Sequence, residues 1–354
     1  MLQIPKEYDS ENFKPYIHQY CWISNLYKVP FTEQLPVEVD ERMEEPRSLD
    51  FYRWVFLIFL IQALMFKFPN VIWRTFNTFS GINIKKIVVE SLKTQLEDGT
   101  ARDANITNLA LWVERWLRAN RKFDSGRFSN FRSIFTKVCF CFGKRNGCFL
   151  TRLYICVKAL YLINILAQFH INSTFLHFNY WNYGTEVARM LTAEDPWEDL
   201  VRFPRVGMCD LEIRQLQNIQ RHTVQCALPI NMFLEKAYAV IWFGMVILAI
   251  LTSISLLKWT VEELFTTRRE KFLNRYLERF KNSELVDEKL FKRFVRDYLK
   301  DDGVFLMRIL TNNTGEILTF DILNVLWARY KKHQHKTDEE YDPESKPLTN
   351  GPGE

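Results

Sequence analysis

The chain has 354 residues, of which 47% are hydrophobic and 25% are charged, and its formal net charge is +5. The hydrophobic content excludes an intrinsically disordered chain. The presence of only 12 glycines and 12 prolines excludes collagen-like and low-complexity classes. A mean hydropathy of −0.18 is typical of a soluble protein, for which this length predicts two or three domains. An average conceals segregated apolar segments, however, and the chain contains three of them.

The first apolar segment, residues 51–71, predicts a transmembrane helix. Gln62 is the only polar residue between the charges of Arg53 and Lys67. Charged side chains near the two ends of a span can extend to the membrane interface, so these two residues do not argue against a span.

The second apolar segment, residues 148–171, is interrupted by polar side chains, including Arg152, Lys158, Asn164 and Gln168. Asn164 and Gln168 are four residues apart and share a helical face. A buried helix of a soluble domain and a span that packs its polar face inside a bundle both fit this pattern. Lys158, Asn164 and Gln168 are therefore candidate pore or bundle-interior residues. For Lys158, extension to the interface and pairing with a neighbouring helix are equally consistent.

The third apolar segment, residues 235–258, predicts a further span. Its central part, from Ala237 to Leu257, carries no charge, and a bilayer core needs about 20 apolar residues of helix. Trp259 follows at the position of an interfacial anchor.

The charges between the apolar segments predict how the segments are oriented across a membrane. They also indicate that the second segment is a span. Residues 69–150 hold 14 basic and 6 acidic residues, whereas the net charge is −5 over residues 1–50 and −2 over residues 171–231. Basic residues near spans mark the cytoplasmic side. The tail from residue 259 begins with a basic stretch and is also expected inside. The alternation of outside, inside, outside and inside requires three spans.

The seven cysteines divide according to this topology. Cys21, Cys209 and Cys226 fall in segments predicted to be outside, where disulfides persist. Their odd number leaves one thiol without a partner in the chain. Cys139 and Cys141 fall in the cytoplasmic segment, where the spacing does not favour a zinc site.

No pattern in the sequence supports catalysis, a cofactor or a metal site. The chain lacks a GxxxxGK[ST] phosphate loop, a GxGxxG motif and an HExxH motif. His222 and Cys226 are four residues apart but have no evident third partner. The net positive charge belongs to the spans and their edges and implies no nucleic-acid partner, so the sequence predicts neither an enzyme nor a nucleic-acid-binding protein.

The tail after the third span is predicted to fold. Apolar residues recur there at every fourth position: Val286, Leu290, Phe294 and Tyr298. This spacing predicts an amphipathic helix that ends before Gly303, and a second helix is predicted from Phe320 to Tyr330. Residues 332–354 are polar and are predicted to be disordered.

Four segments of the chain carry one family pattern. They are RFPRVGMCDLEIRQLQNIQRHTVQCALPINMF (202–233), FYRWVFLIFLIQALMF (51–66), YLINILAQF (161–169) and FVRDYLKDDGVFLMRILTNNTGEILTFDILNVLW (294–327). The first resembles the second extracellular loop of the innexins, the pannexin-related gap-junction channel proteins of invertebrates. The others resemble the second span, the third span and the cytoplasmic tail domain of that family.

The resemblance implies an all-α transmembrane fold: three predicted spans of a four-helix-bundle subunit, disulfide-linked extracellular loops and a helical cytoplasmic domain. It implies a subunit that forms a ring with other innexin subunits in the plasma membrane, contacts membrane lipids and docks onto a ring on an adjacent cell. Such a channel passes ions and small solutes between cells. The family's crossed pairing favours a Cys21–Cys209 disulfide and leaves Cys226 unpaired.

The expected boundaries follow from the three apolar segments and the resemblance. They are a partial extracellular loop 1 (1–50), a transmembrane helix (51–71), a helical cytoplasmic loop (72–147), a transmembrane helix (148–171), extracellular loop 2 (172–234), a transmembrane helix (235–258), a cytoplasmic helical tail domain (259–331) and a disordered tail (332–354).

The chain also departs from the family pattern. An innexin is expected to have four spans and two cysteines in each extracellular loop. In this chain HQYCWISNLY (18–27) already resembles the region around the second cysteine of the first loop, so the family's first span and first loop cysteine have no counterpart in this sequence. The chain is therefore expected to be truncated at its N-terminus. A truncated, non-conducting subunit that assembles with full-length innexins and modulates them is the alternative function.

Overall fold

The computed structural model describes residues 2–3, 13–29, 34–36, 38, 42, 47–49, 51–119, 147–193, 201–264, 266–281 and 288–340. The expectations for Cys139, for Cys141 and for the tail after residue 340 lie outside these residues. The chain divides into two compact units. The hairpin unit comprises Met1–Phe68 and Leu160–Ile254, and the helical unit comprises Pro69–Ala159 and Ser255–Glu354.

The described residues form mainly helices. In chain order the elements are β1 (Leu2–Gln3), α1 (Phe13–Ile23), α2 (Phe51–Phe79), α3 (Ile84–Gln95), α4 (Gly99–Ala119), α5 (Phe149–Phe175), α6 (Tyr183–Thr192), β2 (Val206–Gln215), β3 (Asn218–Ala227), α7 (Pro229–Leu264), α8 (Thr266–Lys281), α9 (Glu288–Arg293), a π-helical turn (Phe294–Leu299), α10 (Lys300–Thr314) and α11 (Glu316–Glu340).

Helices α2, α5 and α7 are long and apolar enough to cross a membrane. Each is longer than the segment predicted from the sequence, because helix ends follow backbone signals rather than the ends of apolar runs. α7 begins at Pro229, whose fixed φ suits the first helical position. α2 continues through Pro69 and ends just before Gly81, which has a φ of +83°.

The hairpin unit contains a three-stranded antiparallel sheet in the order β1-β3-β2. The prediction of an all-α fold is therefore wrong for this part of the chain. The long pair β2–β3 is in register with Cys209 opposite Val224 and Asp210 opposite Thr223. Cys209 and Val224 are buried, whereas Asp210 and Thr223 are more exposed. This alternation has the two-residue period of a half-buried strand.

Aromatic side chains form the centre of the hairpin unit's core. The Tyr180 hydroxyl donates a hydrogen bond of 2.6 Å to the carbonyl of Tyr238, and the Tyr183 hydroxyl donates one of 3.1 Å to the carbonyl of Glu235. The ring of Phe203 stacks on that of Tyr238 at 6.0 Å. These contacts fix the segment after α5 against the first turns of α7 and satisfy the buried hydroxyls of Tyr180 and Tyr183.

Gly184 allows the closest approach within this core. A Cβ atom at this position would lie 1.9 Å from Cε3 of Trp242. We expect Gly184→Ala to lower the free energy of unfolding by about 1–3 kcal/mol, because a well-packed core must shift to admit the extra atom. Thermal unfolding of the purified full chain in detergent measures this change. Gly244→Ala is the matched control, since a Cβ there meets nothing within 4 Å, and equal effects of the two variants would contradict the prediction.

The helical unit packs α3, α4, α10 and α11 around one apolar core. Glu114 on α4 is 3% exposed and accepts hydrogen bonds of 2.5 Å from Arg118 and from Nε of Arg329 on α11. The two guanidinium groups compensate the buried carboxylate, which holds the two helices together.

The first helix predicted for the tail corresponds to α9 and the π-helical turn, which end at Leu299 and therefore before Gly303, as expected. Gly303 lies further on, inside α10, where its missing side chain admits Leu299 and Leu117. The second helix, predicted around Phe320 to Tyr330, is present, but it begins at Glu316 and continues beyond residue 331 to Glu340. The polar residues after 331 include Lys, Gln and Glu, which favour helix, and no glycine or proline interrupts them before Pro343.

Candidate functional site

A disulfide joins the two loop segments of the hairpin unit. Cys21 on α1 and Cys209 on β2 are bonded, with Cα atoms 5.7 Å apart, although the two residues are 188 positions apart in the chain. Both cysteines are buried. The bond attaches a short amphipathic helix to the sheet, and neither element has a large core of its own.

A polar network around Asp210 reinforces this attachment. Tyr27 and Met208 exchange backbone hydrogen bonds of 2.8 and 3.1 Å. One carboxylate oxygen of Asp210 accepts from the hydroxyls of Tyr27 and Thr223, each at 2.8 Å, and the other accepts from Arg42 at 2.9 Å. Burial, together with the bond to Asp210, raises the pKa of Tyr27 to about 12. The phenol therefore stays protonated as a donor across the physiological range.

Cys226 lies beside the disulfide without joining it. Its sulfur and those of Cys21 and Cys209 are all within 4.8 Å of one another, and Cys226 is a free, buried thiol. Two of these three sulfurs are bonded to each other, so the cluster does not offer three thiolates to a metal ion. Burial raises the pKa of Cys226 to about 11.

The raised pKa predicts that Cys226 reacts slowly in the folded protein. Because the thiolate is the reactive form, we expect the alkylation rate to rise about tenfold for each pH unit up to pH 11. Iodoacetamide labelling of the purified chain between pH 7 and pH 10, followed by peptide mass spectrometry, measures this rate. Unfolding in denaturant is the control and should bring the rate at pH 7.5 to that of an ordinary thiol. A native rate already equal to the denatured one would contradict the prediction.

Lys158 lies near one end of its helix bundle. Its ammonium donates a hydrogen bond of 2.8 Å to the hydroxyl of Ser255 and lies 4.9 Å from the ring centroid of Tyr154. Tyr154 in turn packs on Trp259, with 4.8 Å between ring centroids. Ser255 is about 4.5 Å along α7 from Lys258, at 1.5 Å per residue. This depth favours a side chain that extends towards the interface over one in the middle of a pore.

Asn164 and Gln168 lie inside the hairpin unit, where they are 8% and 0% exposed. Gln168 donates from Nε2 to Oδ1 of Asn164 at 3.4 Å, and Gln62 on α2 donates to Oδ1 of Asn172 at 2.5 Å. The four amides form a polar seam between α2 and α5. Asn172 heads an Asn-Ser-Thr glycosylation sequon in the sequence, but its side chain is buried in this seam. It lies four residues after Gln168, on the same face of α5.

Comparison with known proteins gives one consistent answer. The family model described as Innexin matches residues 3–330. Innexin unc-9 of Caenorhabditis elegans is 34% identical over 91% of this chain and 81% of its own length. Innexin-11 of the same organism is 31% identical over 95% of this chain and 73% of its own length, and its Innexin-3 is 31% identical over 98% and 80%. The chain therefore belongs to the innexin family of gap-junction channel proteins.

Proposed function

We propose that this chain is a subunit of a gap-junction channel or hemichannel that passes ions and small solutes between cells. The observation that carries the proposal is the disulfide-linked pair of loop segments, held by Cys21–Cys209 and by the Asp210 network. Two loops fixed to each other give a stiff surface at the end of a membrane bundle. Such a surface is what two rings need in order to dock without a large ordering cost.

The proposed orientation has the loops and sheet of the hairpin unit outside the cell and the folded part of the helical unit inside. The disulfide supports this assignment, because such bonds persist in oxidising compartments and are rare in the cytosol. The basic residues of the segment 69–150 support the same orientation. With this orientation α2, α5 and α7 are three membrane spans of a multi-pass subunit.

In the proposed assembly each subunit contributes to a four-helix bundle, and several subunits form a ring that docks onto a ring on an adjacent cell. The polar seam supports the bundle, because Gln62 on α2 pairs with Asn172 on the facing helix α5, and buried amides pair in this way where lipid offers no partner. Asn164 and Gln168 are therefore proposed as bundle-interior residues, and Lys158 as a residue that extends to the cytoplasmic interface.

Junctional conductance between paired cells that both express this chain tests the proposal. We expect coupling that depends on the linked loops. Cys226→Ser, which leaves the disulfide intact, should conduct, whereas the same chain with Cys21→Ser added should not. Surface-expressed chain that gives no coupling would contradict the proposal. If that chain changed the conductance of a co-expressed full-length innexin, the result would support the alternative of a modulatory, non-conducting subunit.

Substitution of a residue in the polar seam tests whether the seam lies in the interior of the bundle or lines the pore. We expect Gln168→Met to leave the unitary conductance and ion selectivity unchanged, because the side chain is fully buried within one subunit. The methionine conserves volume, and a swap of similar volume costs less than about 1.5 kcal/mol. Single-channel recording measures both properties. A changed unitary conductance at normal surface expression would instead assign Gln168 to the conduction path.

A further inference from the structure

A basic cleft opens in the helical unit between α8, the π-helical turn and α10. Its volume is about 150 Å³. It is lined by Arg269, Glu270, Val295, Arg296, Lys300, Asp301 and Val304. The cleft is large enough for a small anion, and it shares no residue with the disulfide region or the polar seam.

Three of the five charged residues in the lining are basic, and carboxylates balance their positive charges unequally. Arg269 forms an ion pair with Asp301. Arg296 and Lys300 form no ion pair with any carboxylate among the described residues, and Glu270 is the one remaining acid in the lining. The cleft therefore carries an excess of positive charge at Arg296 and Lys300, with Arg269 next to them.

The backbone around these two cations is unusual. Arg296 belongs to the π-helical turn Phe294–Leu299, and Lys300 follows it with a φ of +54°. π-Helical turns and left-handed non-glycine residues are uncommon and occur often at functional sites. The aliphatic part of Lys300 is held against Gly147, where a Cβ atom would approach its Cδ to 2.6 Å. The stem of the lysine thus packs along the backbone of Gly147, where the glycine leaves room for it.

The cleft continues towards the end of a candidate span. A small neighbouring recess shares Arg269, Asp301 and Val304 with it and reaches Thr151 and Trp259. Trp259 directly follows Lys258, at the end of the apolar part of α7. Tryptophan at that position is typical of the headgroup level of a bilayer.

We propose that this cleft binds the phosphate group of an anionic ligand, either a lipid headgroup or a soluble phosphate ester, through Arg296, Lys300 and Arg269. Guanidinium and ammonium groups donate charge-assisted hydrogen bonds to phosphate oxygens. The site goes beyond the proposed channel function, and its occupancy does not depend on whether the chain conducts.

Thermal unfolding of the full chain in neutral detergent tests the site, with short-chain phosphatidate and inorganic phosphate as separate probes. A ligand that binds the folded state raises the melting temperature, and its titration yields an affinity. The double variant Arg296→Gln/Lys300→Gln should weaken that affinity by at least about tenfold, since it removes two charged donors. The matched control Lys271→Gln/Arg275→Gln removes two exposed cations from α8 outside the cleft and should change the affinity by less than about twofold.

A shift with phosphatidate alone would support the proposal and assign the site to lipid, and a shift with both probes would support it and assign the site to phosphate in general. Either shift must be lost in the cleft variant. The proposal would be overturned if neither probe shifted the melting temperature of the unmodified chain. It would also be overturned if the cleft and control variants weakened binding equally, because the effect would then be one of net charge.

Discussion

Loss of the Cys21–Cys209 bond is expected to produce the largest change in stability and assembly. In a Cys226→Ser background, Cys21→Ser should lower the free energy of unfolding by about 2–5 kcal/mol, the usual cost of removing a native disulfide. The bond closes a segment of 188 positions, so its loss releases α1 from the sheet. Thermal unfolding in detergent measures the stability, and surface biotinylation measures delivery to the membrane.

The Cys226→Ser background is necessary because three sulfurs lie within 4.8 Å of one another. With Cys226 present, removal of Cys21 would leave the thiols of Cys209 and Cys226 within reach of each other, and an oxidising compartment could oxidise this pair to a replacement disulfide. Cys226→Ser alone is the control and should retain both stability and surface delivery. Equal melting temperatures for the single and the double variant would show that the disulfide does not stabilise the hairpin unit.

Asp302→Ala is expected to have the second-largest effect. The Asp302 side chain is 4% exposed and accepts hydrogen bonds of 3.1 Å from both the backbone nitrogen and the hydroxyl of Thr151, in the first turn of α5. Its own nitrogen donates to the carbonyl of Gly147 at 2.8 Å. Loss of two bonds to a charged acceptor and of a helix cap should lower the free energy of unfolding by about 2–4 kcal/mol.

The matched control for Asp302 is Asp321→Ala. Asp321 pairs with Arg102 at 2.5 Å, but both side chains are about 30% exposed, and surface pairs contribute no more than about 1 kcal/mol. Thermal unfolding of both variants compares a buried cap with a surface ion pair. If Asp302→Ala were no more destabilising than Asp321→Ala, the capping role of Asp302 would be wrong.

The three candidate spans could be predicted from the sequence because membrane insertion depends on composition over about 20 consecutive residues. Residues 237–257 carry no charge, and that property requires no knowledge of the partner helices. The second span needed the charge count as well, since its polar residues made its own composition ambiguous. Family membership could likewise be predicted from the contiguous segment 202–233, because a comparison of sequences requires no knowledge of the fold.

The sheet of the hairpin unit is a feature that the family resemblance did not predict, because the resemblance implied an all-α fold. In β2 the apolar residues Cys209, Leu211 and Ile213 alternate with charged residues, which is the pattern of a half-buried strand. Gly303 shows the difference between a local and a distant signal. The preceding helix ends at Leu299, before this glycine, as a glycine after an apolar run suggests. Only the fold shows that its missing side chain also admits Leu117 from α4, far away in the chain.

The contacts of Lys158 and the surroundings of Cys226 are visible only in the fold. From the sequence, a pore, an interface and a helix pair were all open to Lys158, and in the fold its ammonium bonds to Ser255 on α7 and lies over the ring of Tyr154. The sequence showed an odd number of cysteines in the outer segments, whereas only the fold places Cys226 beside a bond made by the other two. Membrane insertion and the sequence resemblance to a family are both properties of continuous stretches of chain. Depth, burial and sulfur proximity depend on residues up to 188 positions apart, which meet only when the chain folds.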